Sequence, residues 1–199
     1  LRAVAGMLAG LVYRPIWSRY LLLVGAEMAT IVGMFLLKPA IGDRFVTSFL
    51  NQLPINETSP YKRVWNGGID AFYTAPAIGI GPDNYRILCP TISAGNPDVD
   101  CHTQPHNYYI QLLGETGLIG LTLGVVMMFA IIWTCFRANL ENRKNVLTAT
   151  CFVVPLGFFF PVQSTADFFG QWNNTFMWSA IAFALAVAHQ NLNGQTDKS

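Results

Sequence analysis

Charge is what this sequence has least of. Asp, Glu, Lys and Arg make up 12% of its 199 residues, against 52% hydrophobic, whereas an ordinary soluble domain carries about a quarter charged residues. That scarcity argues against a typical soluble domain and points to a membrane. Repeats of fixed period and low-complexity tracts are also missing, which sets aside solenoids and unstructured linkers. The opening LRAVAGMLAGLVYR has no initial Met, lacks the basic start and cleavage site of a signal peptide, and is too short to span. It reads as the tail of a helix whose beginning is missing, so the chain is expected to be part of a larger membrane protein.

What is present is a set of long apolar runs. A crossing needs roughly 17 to 25 apolar residues, and Gly117 to Phe136 supplies twenty with no charge. Tyr20 to Leu37, interrupted only by Glu27, reads as a second span, and Val146 to Val162 as a third with Pro155 as a kink. Phe176 to Ala188 becomes a fourth if Trp172 to Thr175 and His189 sit in the interfaces. Glu27 is a functional candidate because charge in hydrocarbon is costly, although it has no evident partner. Basic residues in short loops mark the cytoplasmic side: Arg14 and Arg19 share one such connection, and Arg137, Arg143 and Lys144 another. Alternation then divides the chain into transmembrane helices over 1–37 with a cytoplasmic turn at 14–19, an extracytoplasmic loop domain over 38–116, and three transmembrane helices with a cytoplasmic tail over 117–199.

The loop domain carries helical signals. VTSFLNQL (Val46 to Leu53) is amphipathic, and YKRVWNGGIDAFYTA brings Val64, Trp65, Ile69 and Phe72 to one face before Pro76 ends the pattern, with Arg63 near its start. Gly79 and Gly81 in AIGIGPDNY predict a tight turn whose backbone approaches another surface closely. Cys89 and Cys101 fall in this loop, where an oxidising compartment permits a disulfide. Two unpaired thiols are the alternative, since spacing does not fix pairing. Cys135 and Cys151 read as buried thiols within helices.

Further along stands HTQPHNYYIQLLGETGLIG. Pro105 is favoured at a first helical position, which predicts a helix running to the glycines and puts His106 in its first turn. There the helix dipole disfavours a protonated imidazole, keeps the ring neutral and able to accept a proton, and attracts anions such as phosphate. The plain alternative is an interfacial His making a structural hydrogen bond, with Tyr108 and Tyr109 as belt aromatics.

Taken in order, Arg63 and Trp65, then Pro76, Gly79 and Gly81, then His106 and Asn107, then Glu115, Gly117 and Gly120 resemble the motifs of the O-antigen ligase and polymerase family of bacterial envelope proteins. The resemblance is strongest over residues 60 to 122, and FPVQSTADFFGQWNNTFMW is more loosely similar to the last outer loop of such proteins. It implies an all-α integral membrane protein, a polytopic helical bundle of GT-C-like glycosyltransferase type, of which this chain is the C-terminal portion with a partly helical periplasmic loop domain. It also implies location in the bacterial inner membrane with the active loop facing the periplasm. The implied reaction moves a glycan from undecaprenyl diphosphate to an acceptor sugar, either the lipid A core or a growing glycan. The expected partners are these substrates and membrane lipids, with no nucleic acid and no cofactor.

On that resemblance His106 is the base for the acceptor hydroxyl, and Arg63 and Arg2 present guanidinium forks to the diphosphate. Asn107, Glu115, Gly79 and Gly81 bind substrate or support the site. Asn107, Tyr109 and Gln111 suit sugar contacts or a helix surface equally, and Arg86 and Lys62 suit solvated loop charges. Carboxylate pairs of the glycosidase kind are not evident at the resembling positions. No metal site is expected: Asp98 and Asp100 sit in a turn, and Cys101, His102 and His106 lack a fourth ligand and a common helical face. Within the family a polymerase is the competing reading, and a membrane transporter is the alternative of another class.

Overall fold

A computed structural model describes residues 17–142 and 145–196. Among them are seven helices and no strand: α1 (Trp17–Leu37), α2 (Pro39–Gln52), α3 (Pro60–Thr74), α4 (Tyr85–Ile92), α5 (Tyr108–Glu141), α6 (Val146–Phe158) and α7 (Gln171–Thr196). The expected all-α class therefore holds for the described residues. By length and composition, α5 is the one helix among them able to cross a bilayer; α1 and α2 reach that standard only when taken together as one bent span, and α6 is apolar but short. The outward positions of α5 are apolar, with Leu118 57%, Leu123 66% and Val126 60% exposed. Water would penalise such a surface, and lipid would not.

The chain divides into two compact units. The first takes the described residues up to Phe45, Met128–Phe159 and those from Met177 onward. Its core is made of small side chains, Cys135, Ala138, Cys151, Ala184 and Ala188, with Phe152, Leu185 and Leu192 packed around them. Small residues let helices approach closely where no hydrophobic effect drives them together. Asn145 caps α6 by accepting the N–H of Leu147 at 2.9 Å. Pro155 lies in the last turn of that helix, which ends at Phe158.

The second unit comprises Val46–Met127 and Phe160–Phe176. Pro60 opens α3, where its missing N–H costs nothing. The face α3 buries is Val64, Gly67, Gly68 and Ala71, so the expected apolar face of Val64, Trp65, Ile69 and Phe72 is rotated toward the small residues. The reason is close contact: a Cβ on Gly68 would meet Ile110 at 2.5 Å, and one on Gly114 would meet the Gly68 carbonyl at 2.7 Å. Against α3 pack Tyr85 and Cys89 of α4, and the Tyr85 hydroxyl donates to the Val64 carbonyl at 3.2 Å. Cys89 and Cys101 are joined in a disulfide.

A break in α5 organises this unit. Gly117 has φ 65° and ψ −167°, outside the helical region, so the carbonyls before it and the N–H groups after it lose their helical partners. Residues 76–81 supply replacements. Ile80 N–H donates to Gly114 O at 3.1 Å and Gly81 N–H to Glu115 O at 2.9 Å, while Leu118 N–H donates to Pro76 O at 2.9 Å and Ile119 N–H to Ala77 O at 3.2 Å. This contact is the close approach expected of the Gly79–Gly81 turn. A Cβ on Gly79 would lie 2.3 Å from the Glu115 carbonyl carbon, and one on Gly117 would lie 2.5 Å from that of Ala77.

Candidate functional site

The helix behind His106 begins three residues later than the sequence predicts. α5 starts at Tyr108, and Asn107 is its cap: Oδ1 accepts the N–H groups of Tyr109 at 3.0 Å and Ile110 at 3.2 Å. Pro105 lies in the preceding loop, and His106 has φ 54°, a left-handed backbone that no helix can contain. A capping Asn competes with Pro for the start of a helix, and here the Asn wins. Two consequences follow for the expected chemistry. His106 is outside the first turn, and the donors of Tyr109 and Ile110, which would have met an anion, are already used by Asn107.

His106 is held in its strained conformation from both sides. Its carbonyl accepts the Thr165 N–H at 2.9 Å, and its ring packs edge-on against Tyr61 with centroids 6.5 Å apart. Beside Nδ1, at 3.4 Å, stands the side-chain nitrogen of Gln104, which also lies 3.3 Å from the Thr165 carbonyl oxygen. Asn107 reaches the same segment by donating from Nδ2 to the Pro161 carbonyl at 2.8 Å.

The ring borders a cavity of about 160 Å³ whose walls include Phe49, Tyr61, Trp65, Gln52 and Gln163. Tyr61 and Trp65 are four residues apart on α3 and so share a face. The Trp65 Nε1–H is buried and has no hydrogen-bond partner among the described residues. Arg63 is exposed and is not among the cavity residues. It stands about 200° round the helix from both Tyr61 and Trp65, and its carbonyl accepts the Asp100 N–H at 3.2 Å. The structure thus places Arg63 on the helix that walls the cavity, at a different angular position from Tyr61 and Trp65. Arg2 lies outside the described residues.

Behind the cavity, Gln111 is 2% exposed rather than on a helix surface. Its Nε2 donates to Glu115 Oε2 at 3.1 Å and Asp167 Oδ1 at 2.7 Å, and its Oε1 accepts the Phe168 N–H at 2.9 Å. Glu115, 1% exposed and ahead of the break at Gly117, accepts the Tyr85 N–H at 2.9 Å. Burial pushes its carboxyl above the ordinary value; the N–H groups of Tyr85 and Asp83 and the Gln111 amide pull the other way, and the nearby Asp167 adds to the rise. Gly79, Gly81 and Glu115 thus meet at the break in α5, while Asn107 caps the start of that helix. Lys62 and Arg86 form surface ion pairs with Glu57 and Asp83. Cys101 is taken up in the disulfide, and no cluster of three or more His, Cys, Asp or Glu fit for a metal occurs among the described residues.

Sequence reasoning missed Gln104, Tyr61 and Asp167. Tyr61 had a signal, its four-residue spacing from Trp65 at the start of α3. Asp167 had none, because its partner Gln111 lies 56 residues away; Gln104 stands two residues from His106, but its anchor at Thr165 is 61 residues away.

Among known proteins, residues 1–125 match the family described as O-antigen ligase. No curated protein and no solved structure matches.

Proposed function

The chain belongs to the O-antigen ligase family, and from that premise we propose that it serves a glycosyltransferase moving a glycan from an undecaprenyl diphosphate carrier to the lipid A core, at the periplasmic face of the inner membrane. One observation carries the assignment of the site. The His106 ring shares a small cavity with the aromatic side chains of Phe49, Tyr61 and Trp65 and the amide-bearing Gln52 and Gln163. Aromatic faces and convergent polar groups in a concave site suit a sugar ring.

In the reaction the bond from the anomeric carbon to the diphosphate oxygen breaks, and a bond from that carbon to the acceptor oxygen forms. A single displacement inverts the anomeric centre. Charge develops on the departing diphosphate, and fixed cations and donors there lower the barrier. Arg63 and Arg2 are the proposed guanidinium partners, with Arg63 acting from outside the cavity wall that Tyr61 and Trp65 form. His106 acts at the reacting centre itself.

The test is the surface-glycan profile of cells whose only copy of the full-length protein carries His106→Ala. Transfer should fall by on the order of a hundredfold or more, leaving long polymer stranded on the carrier and bare core on the surface. Core bearing at most one repeat would assign the chain to polymerisation instead. A normal profile at normal protein level would remove His106 from the reaction.

A further inference from the structure

The nitrogen end of the Gln104 amide is identified by its neighbour. Gln104 is 8% exposed, and its Nε2 lies 3.3 Å from the Thr165 carbonyl oxygen. A carbonyl only accepts, so the amide must present its NH2 group there; turning it over would set two acceptors against each other. That NH2 has two hydrogens. With one directed at Thr165, the other is available to His106 Nδ1, 3.4 Å away. A ring nitrogen that accepts a hydrogen bond carries no hydrogen, so the neutral imidazole must bear its proton on Nε2.

We propose that Gln104 is a positioning residue that holds His106 in the Nε2–H tautomer, so that the ring meets its substrate as a hydrogen-bond donor. The consequence for catalysis rests on the site assignment above; the tautomer is a property of the protein alone. The proposal reverses the role expected from the sequence, in which the ring takes the acceptor's proton. As a donor, Nε2–H stabilises the oxygen that receives the electron pair of the broken bond, and the acceptor's proton leaves on the diphosphate. The surroundings agree with this assignment. The first-turn donors that would otherwise have faced the diphosphate are occupied by Asn107, so the ring N–H supplies what the helix end does not. Thr165 fixes both partners, accepting from Gln104 and donating to the His106 carbonyl.

The experiment is long-range proton–nitrogen NMR on the full-length protein in detergent micelles, with 15N-labelled histidine and at a pH where the rings are neutral. The sequence given has three histidines, and His106 is identified by the signal lost in His106→Ala. The expected wild-type pattern is Nε2–H. Gln104→Glu, whose carboxylate only accepts, should convert it to Nδ1–H while the signals of His102 and His189 stay in place. Gln104→Met, which keeps the volume and removes the donor, should give a mixture of tautomers and covers the case in which the charged variant does not fold. An Nδ1–H pattern in the wild type, or a pure Nε2–H pattern in Gln104→Met, overturns the proposal. Unimpaired glycan transfer by His106→Ala would instead overturn the site assignment and leave the tautomer result standing.

Discussion

At Gln111 one side-chain amide makes three hydrogen bonds inside the protein, joining Glu115, Asp167 and the backbone of Phe168. Gln111→Leu removes all three bonds at once, although Glu115 keeps the Tyr85 N–H and Asp167 the Phe169 N–H; a buried polar group that loses its partner costs about 1–3 kcal/mol. The variant should melt well below the wild type in detergent, as read by thermal unfolding, and transfer should fall because the segment bearing Thr165 loses its anchor. Tyr85 makes a smaller contribution of a different kind. Burial raises its hydroxyl above the ordinary 10.0, with Asp100, Asp70 and Glu115 adding to the rise. The folded state therefore holds this proton more tightly than the unfolded chain, so the stabilisation is complete below that value and is lost as pH climbs above it. Tyr85→Phe should cost about 1 kcal/mol at neutral pH and should flatten the loss of stability seen on alkaline titration.

Elements were legible in the sequence where the signal was local. The spaced apolar residues before Pro76 announced α3, and twenty uncharged residues announced the membrane-crossing part of α5. The start of α5 was misread because Pro105 and Asn107 both carry a helix-start signal, and the cap bonds of Asn107 with the left-handed backbone of His106 settle it for Asn107. The place of the break was legible, since the sequence ends one helix at the glycines and begins the apolar run at Gly117; its replacement partners lie about forty residues upstream, beyond any local pattern. That break makes a graded prediction. Gly79→Ala and Gly117→Ala each combine a left-handed φ with a Cβ placed against backbone, whereas Gly95 has φ 81° with nothing within 4 Å. Gly95→Ala should cost about 1 kcal/mol from conformation alone. The other two should exceed it clearly in thermal unfolding and should also expose residues 76–81 to limited proteolysis.

For the whole molecule, family membership rests on residues 1–125, while the cavity also draws on Val162, Gln163 and Ser164 beyond that match. The loose likeness noted for residues 160–178 therefore has a physical counterpart. Orientation is open to a direct measurement through the cysteines. Cys89 and Cys101 are bonded to each other, and Cys135 and Cys151 are buried. On cells with a permeabilised outer membrane, an impermeant thiol reagent should label Cys89 and Cys101 only after reduction, if the loop faces the periplasm; labelling that requires lysis would reverse the proposed topology. Cys89→Ser with Cys101→Ser should lower stability by about 2–4 kcal/mol, the usual contribution of such a link.

The backbone exchange at Gly117 also sets an order of events during synthesis. Residues 76–81 leave the ribosome first and cannot find their partners until residues 114–119 follow, by which time the apolar stretch beyond is itself emerging. The seam between the two pieces of α5 therefore closes late, and a pause in synthesis between those two points would leave residues 76–81 delivered but unpaired.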